Sequence, residues 1–213
     1  GRLVQMGDSC LSMVFEEKVD AAVNARCVAI AASLERCPRP GIRDVVPTYN
    51  AVTVHFDPIQ VDREDLATEL DVLAAMDVPD AAHERAPVVI PVSYGGEFGQ
   101  DLEAVAEFGG CSEEDVVGVH AGTVYRVYML GFLPGFAYMG PVDPRIAMPR
   151  LDTPRLRVAA GSVGIAGAQT GIYPFDTPGG WRIIGRTRET VFDPARGNPF
   201  LLKAGDRVKF VAV

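Results

Sequence analysis

Between Gly131 and Phe200 the chain carries 11 glycines and 9 prolines. Glycine and proline at that density break helices and mark turns. What they separate here are short apolar runs: Val163–Ala166, Gly171–Tyr173 and Trp181–Ile184. Val124–Leu130 before them is rich in strand-forming residues, and in Asp206–Val213 the apolar Val208, Phe210 and Ala212 alternate with Arg207, Lys209 and Val211. Short strands closely spaced by turn signals predict an all-β barrel or sandwich for this half.

The first part of the chain has a different rhythm. Leu11–Phe15 reads as a strand. Val23, Cys27, Ile30 and Leu34 recur at helical spacing and predict a helix over about 20–36, stopped by Cys37-Pro38-Arg39-Pro40-Gly41. Val45–Tyr49 and Ala51–Phe56 read as strands. Asp62 is an N-cap for a second helix, with Glu64 and Asp65 in its first turn and a stripe of Leu66, Leu70, Leu73 and Met76. Val88–Val92 is a further strand after the polar stretch Val78–Pro87. This order matches a split βαβ, ferredoxin-like unit, its last strand shared with the second half of the chain. Two short helices come next. Asp101–Phe108 ends at Gly109-Gly110, and Ser112-Glu113-Glu114-Asp115 opens the second with a capping-box pattern. The expected organisation is therefore an α+β domain over residues 1–86 and a β-barrel domain over 87–213.

Charge and cysteine content exclude several function classes. The net charge of −8 disfavours a general nucleic-acid binder. That total is unevenly spread. Residues 1–86 carry 15 acids and 8 bases, residues 87–125 carry 7 acids and no base, and residues 126–213 carry 6 acids and 12 bases. A basic β-rich half suits a small anionic ligand. The bases are 17 arginines and only Lys18, Lys203 and Lys209, which excludes a P-loop and any mid-chain Schiff-base or amidase lysine. Cys10, Cys27, Cys37 and Cys111 form no C-x-x-C, and His55, His83 and His120 are isolated. No metal site is expected, and buried reduced thiols are. No apolar run spans a bilayer, and residues 1–10 lack a secretory pattern, so the expected compartment is the cytoplasm.

Three dense segments hold the candidate chemistry. Tyr125–Tyr138 has five aromatics among glycine and proline turns. Phe132, Phe136 and Tyr138 are either a barrel corner or a ligand or partner surface. In Ala160–Pro174, Gly161, Gly164, Gly167 and Gly171 let a backbone approach either a ligand or a neighbouring strand. Ser162 is a near miss for a nucleophile elbow, because Ala160 stands where glycine is required and no helix follows. Pro178–Thr187 holds the single tryptophan, Trp181, and Arg186, while Arg157 precedes the glycine run. Guanidinium forks suit carboxylates and phosphates, or the two arginines form surface ion pairs. His120 is either structural or a general base. Asp143, Asp152 and Asp176 read as turn caps. These residues alone assign no reaction.

The runs Y-R-V-Y-M-L-G-F-L-P-G-F-A-Y from Tyr125, G-S-V-G-I-A-G-A-Q-T-G-I-Y-P from Gly161 and P-G-G-W-R-I-I-G-R-T from Pro178 closely resemble the KipI / allophanate hydrolase subunit 1 family, which includes the B subunits of 5-oxoprolinase. Gly7-Asp8-Ser9, Val46–Tyr49, Tyr94–Gly99 and Ala204–Val208 resemble it as well, so the likeness covers nearly the whole chain. It implies a small ferredoxin-like α+β domain followed by a cyclophilin-like β-barrel. It also implies an allophanate hydrolase subunit 2-like partner (the C subunit of 5-oxoprolinase) together with a third subunit. The implied reaction is a hydrolase one, in which ATP with Mg²⁺ as co-substrate drives opening of the 5-oxo-L-proline lactam to glutamate, by a complex and not by this chain alone. The family's other roles are inhibition of a histidine kinase by binding and a part in urea carboxylase. In that frame Arg157 and Arg186 would hold an anion, and Gln169, Thr170 and Tyr173 would bond an amide-like substrate. Gly161, Gly164, Gly167 and Gly171 would line the pocket. Phe132, Phe136, Tyr138 and Trp181 would form its wall or a partner contact. No residue is assigned as catalytic, and true allophanate amidase activity is not expected without a lysine near Ser162.

Overall fold

The computed structural model describes residues 1–76 and 86–213. The chain divides into two compact units, Gly1–Glu84 and Arg85–Val213. Most of the stretch Val78–Pro87, including His83, lies outside the described residues.

In the first unit β1 (Arg2–Gln5), β2 (Cys10–Val14), β3 (Ile42–Pro47) and β4 (Ala51–Phe56) form one antiparallel sheet in the order β1-β2-β4-β3, with α1 (Ala21–Arg36) and α2 (Arg63–Ala75). Asp20 caps α1 by accepting from the backbone N–H groups of Ala22 and Val23, and Asp62 caps α2 through those of Glu64 and Asp65. The helices bury Cys27, Ile30, Leu34, Leu66 and Leu70 against Met13, Val52, Val54 and Phe56 of the sheet. Burying each such large side chain fully contributes about 1.5–3 kcal/mol. Met76, expected on the α2 stripe, is 54% exposed, and Ala74 is buried instead. The helix ends at Ala75 and Met76 is already in extended backbone, so helical spacing no longer governs where its side chain goes.

The strand over Val88–Val92 is not shared with this sheet. The edge position beside β2, which a fourth ferredoxin-like strand would fill, is taken by β1, paired from Arg2↔Val14 to Gln5↔Leu11. The N-terminal hairpin thereby leaves β5 (Val88–Tyr94) free to serve the second unit.

The second unit adds α3 (Leu102–Gly109), α4 (Glu113–Gly122), β6 (Val124–Leu130), β7 (Ala137–Gly140), a 3₁₀ turn at Pro144–Ile146, β8 (Arg155–Val158), β9 (Ser162–Ala166), β10 (Gln169–Ile172), β11 (Thr177–Gly179), β12 (Arg182–Arg186) and β13 (Arg207–Ala212). Seven strands close a barrel in the order β10-β7-β6-β13-β5-β12-β9, and β8 and β11 form a separate ribbon. All barrel pairs are antiparallel except β13 with β5. Closure leaves no open edge. Val92, Val127, Met139, Ile165, Ile184, Val208 and Phe210 fill the core. Gly110 ends α3 in left-handed conformation, and Ser112 with Asp115 makes a full capping box at α4.

Among the described residues no helix is long and apolar enough to cross a membrane. Cys10 and Cys27 are buried thiols, and burial pushes Cys27 up to about 12. Cys37 is exposed just past the end of α1, and Cys111 is half-buried, so burial of the thiols is partial.

Candidate functional site

At the end of β12 the chain leaves the barrel wall and forms one side of a cleft of about 530 Å³. Ser93, Phe98, Ala160, Gly161, Tyr173, Pro174 and the consecutive residues Arg186–Val191 line it. The volume lies in the range of small-molecule sites. Its surface combines apolar faces (Phe98, Pro174, Val191), hydroxyls (Ser93, Thr187, Thr190) and two guanidinium groups, Arg186 and Arg188. Gly161 sits at φ 80°, and a Cβ there would run into the Thr187 carbonyl oxygen. The position therefore needs glycine for both conformation and space, and this brings the Ala160–Gly161 backbone to the cleft wall.

Arg186 is held by its backbone neighbours. Its Nε donates to the Ala160 carbonyl at 2.9 Å. Its other N–H groups have no hydrogen-bond partner among the described residues, so most of the five-donor fork remains for a ligand. The Ala160 segment is itself fixed by Asp176. One carboxylate oxygen accepts from Ala160 N–H at 2.8 Å and the other from Arg157 Nε at 2.9 Å. The Ala160 N–H bond first, then Arg157, holds this carboxyl below its ordinary range. Arg157 does not line the cleft. Its fork is occupied by Asp176, so it acts on the site through the loop that holds Arg186.

The aromatic residues gather beside this site. Phe136, Tyr173 and Trp181 form a buried cluster with Val158 and Ile183. Phe136 is its hub, meeting Tyr138, Tyr173 and Trp181 edge-on at 4.9, 5.3 and 5.2 Å. Such pairs are worth about 0.5–1.5 kcal/mol beyond burial. Gly164 and Gly171 are paired across β9 and β10. A Cβ at Gly171 would lie 3.1 Å from Phe136 Cζ and 3.2 Å from Trp181 Cζ3, and one at Gly164 would lie 3.1 Å from Trp181 Cβ. These two glycines make room for the cluster and do not line the cleft. Gly167 is the turn between the two strands. Trp181 is further anchored by Arg155, whose Nη1 donates to its carbonyl while Nη2 pairs with buried Asp101. Asp101 also accepts from Ile183 N–H.

His120 is fully buried in the barrel and stacks on Phe210, ring centroids 4.7 Å apart. Thr170 donates its hydroxyl proton to the Gly164 carbonyl. The contact between Thr170 Oγ1 and His120 Nε2, at 2.9 Å, must therefore be donated by the ring, which leaves Nδ1 to accept from the Tyr94 hydroxyl at 2.7 Å. Both nitrogens of a neutral imidazole are satisfied. Burial pushes His120 down to about 3, so it is a structural link in the barrel and does not reach the cleft.

Of the residues singled out from sequence, Gly161, Tyr173 and Arg186 therefore meet at the cleft. Thr170 is inside the barrel with His120, and Gln169 opens β10 at the hairpin. Ser162 is a buried strand residue whose carbonyl accepts from Tyr173 N–H. Phe132 is 62% exposed on its loop. Sequence reasoning misses Ser93, Arg188 and the Glu189–Val191 wall, and it reads Asp176 only as a turn cap. The available signals are indirect: Phe98 falls in the Tyr94–Gly99 segment, and Arg188 lies at the arginine-rich end of the tryptophan segment.

Residues 1–202 match the family described as carboxyltransferase domain, subdomain C and D. The chain is 42% identical over 222 residues to the B subunit of 5-oxoprolinase from Bacillus subtilis, covering 100% of this chain and 92% of that protein. It is 47% identical over 171 residues to the B subunit of 5-oxoprolinase from Haemophilus influenzae, covering 80% and 79%. The solved structure of TTHA0988 superposes with a TM-score of 0.84 at 42% identity, covering 96% of this chain but 40% of that one. The chain thus spans well under half of that longer polypeptide.

Proposed function

The chain belongs to the carboxyltransferase subdomain C and D family, within the group of the 5-oxoprolinase B subunits, and from that premise we propose that it is the B subunit of an ATP-dependent 5-oxoprolinase. The observation that carries the reading is near-full-length identity to named B subunits, together with a cleft whose chemistry fits the substrate.

5-Oxo-L-proline is a small ring with two apolar faces, a lactam and a carboxylate. Phe98, Pro174 and Val191 offer the ring a wall. Ser93, Thr187 and Thr190 offer hydrogen bonds to the amide, and Arg186, supported by Arg188, offers a charged fork to the carboxylate. Charge-assisted hydrogen bonds of this kind contribute about 1.5–3 kcal/mol each. In the overall reaction the γ-phosphoryl group of ATP passes to the lactam oxygen. Water adds to the activated ring carbon, the C–N bond breaks, and glutamate, ADP and phosphate leave. This chain's part is to bind and orient the lactam. ATP with Mg²⁺ is the co-substrate of the complex. The complex works in the cytoplasm, where ATP is supplied, with a C-type subunit and a third subunit.

The test is reconstitution by omission. Glutamate and ADP are expected from 5-oxoproline and ATP only when this chain and its companion subunits are combined. Glutamate formation that does not depend on this chain would overturn the reading.

A further inference from the structure

Three phenylalanines on the barrel unit come together at the surface beside the cleft, and a fourth, Phe132, sits on a loop packed against them. Phe175 meets Phe192 edge-on at 5.7 Å, and Phe192 meets Phe200 at 5.1 Å. The loop carrying Phe132 lies against the same group, since a side chain at Gly135 would start on the Cβ of Phe192. Phe132 is 62% exposed, Phe175 38% and Phe200 39%. Pro174 and Val191, the chain neighbours of Phe175 and Phe192, line the cleft. The aromatic surface therefore runs to the edge of the proposed substrate site.

Phe132 adds a second, independent sign. Its φ is 67°, and it is the one non-glycine residue at positive φ among the described residues. A bulky side chain in that region costs about 1–2 kcal/mol, which a glycine would avoid. The fold keeps a phenylalanine there, its ring edge-on to buried Phe136 at 5.6 Å and its other side open to solvent. Strain of this kind at a surface points to use, and exposed clustered aromatics are the composition of an interface core.

Two observations select the occupant. The surface borders the cleft, so what covers it also closes the cleft. The longer relative TTHA0988 carries more than half its polypeptide beyond the part that this chain matches, so a companion module accompanies this unit there.

We propose that Phe132, Phe175, Phe192 and Phe200 form the docking face for the companion chain that corresponds to that extra length, which seats an apolar patch on them and completes the cleft. The proposal rests on the oxoprolinase reading for the identity of that companion.

The experiment uses calorimetry to measure affinity between the full chain and its C-type partner, for wild type, Phe132→Ser/Phe175→Ser and Leu156→Ser. Leu156 is 92% exposed on β8 and outside the aromatic group. Wild type is expected to bind, the double variant to bind about thirtyfold more weakly or worse, and Leu156→Ser to stay within about threefold. Should the double variant melt early, Phe200→Ser alone is expected to weaken binding about fivefold. Unchanged affinity in a folded variant, equal loss in Leu156→Ser, or loss of self-association without loss of the heteromeric complex overturns the docking face. Absence of binding by wild type overturns both the face and its premise. A complex that assembles and weakens as expected, yet makes no glutamate, leaves the face standing and removes the oxoprolinase reading.

Discussion

Asp176 holds Arg157 with one carboxylate oxygen, at 2.9 Å from Nε, and the Ala160 N–H with the other. The pair fixes the loop whose carbonyl in turn holds Arg186 at the cleft. An arginine expected to bind a ligand is thereby a positioning residue for another arginine.

Replacing Asp176 with alanine removes both contacts. We expect KM for the carboxylate substrate to rise about three- to tenfold, from the loss of roughly one net hydrogen bond of positioning, with kcat nearly unchanged. Asp176→Asn keeps an acceptor for Ala160 N–H and should lie between alanine and wild type. Steady-state kinetics of the reconstituted complex reads the split. A fall in kcat at constant KM would contradict the positioning role.

The His120 link makes a pH-dependent contribution to stability. Its imidazole is neutral in the fold and held down to about 3, whereas the unfolded chain takes a proton near pH 6.5. The unfolded state therefore binds more protons between those values, and stability is present above pH 6.5 and lost as pH falls toward 3. One proton corresponds to about 1.4 kcal/mol per pH unit in that window. Denaturant melts from pH 7.5 to 4.5 should show a slope for wild type that is shallower by this amount in His120→Gln. Identical slopes would place His120 in contact with solvent.

Gly171→Ala tests the space made for the aromatic cluster. The added Cβ would sit 2.9 Å from the Ala137 carbonyl oxygen and 3.1 Å from Phe136. Overpacking of this kind costs about 1–3 kcal/mol, which corresponds to a Tm lower by about 3–10 °C. Gly167→Ala, at a turn where no atom lies within 4 Å of the new Cβ, is strained by its φ of 56° alone and should fall less. A smaller loss at 171 than at 167 in thermal melts would contradict the packing argument.

Local signals in the sequence are strong where a short-range rule applies. Asp62 and Ser112 both cap helices as their spacing implies, because a cap is decided within four residues. The ordering of strands is less legible. Nothing in Arg2–Gln5 shows that it, and not Val88–Tyr94, takes the sheet edge beside β2, since a four-residue stretch with two apolar positions carries little strand signal and tertiary pairing chooses between them. The site is legible in part for the same reason. Arg186 and Gly161 fall in dense motifs. Arg157 looks identical in sequence to a ligand arginine, and only the approach of Asp176, 19 residues away, occupies it. Gly164 and Gly171 likewise show in sequence only that a backbone comes close to something. The structure identifies that neighbour as Phe136 and Trp181.

Arg186 is the residue proposed to receive the substrate carboxylate. The most direct measurement compares kcat/KM for 5-oxoproline with that for 2-pyrrolidinone, the same lactam without the carboxylate, in complexes carrying wild type or Arg186→Ala. Wild type is expected to prefer 5-oxoproline, and Arg186→Ala to lose about 10- to 150-fold of that preference, the equivalent of one charged hydrogen-bonded contact. An unchanged preference in a complex that assembles normally would contradict it.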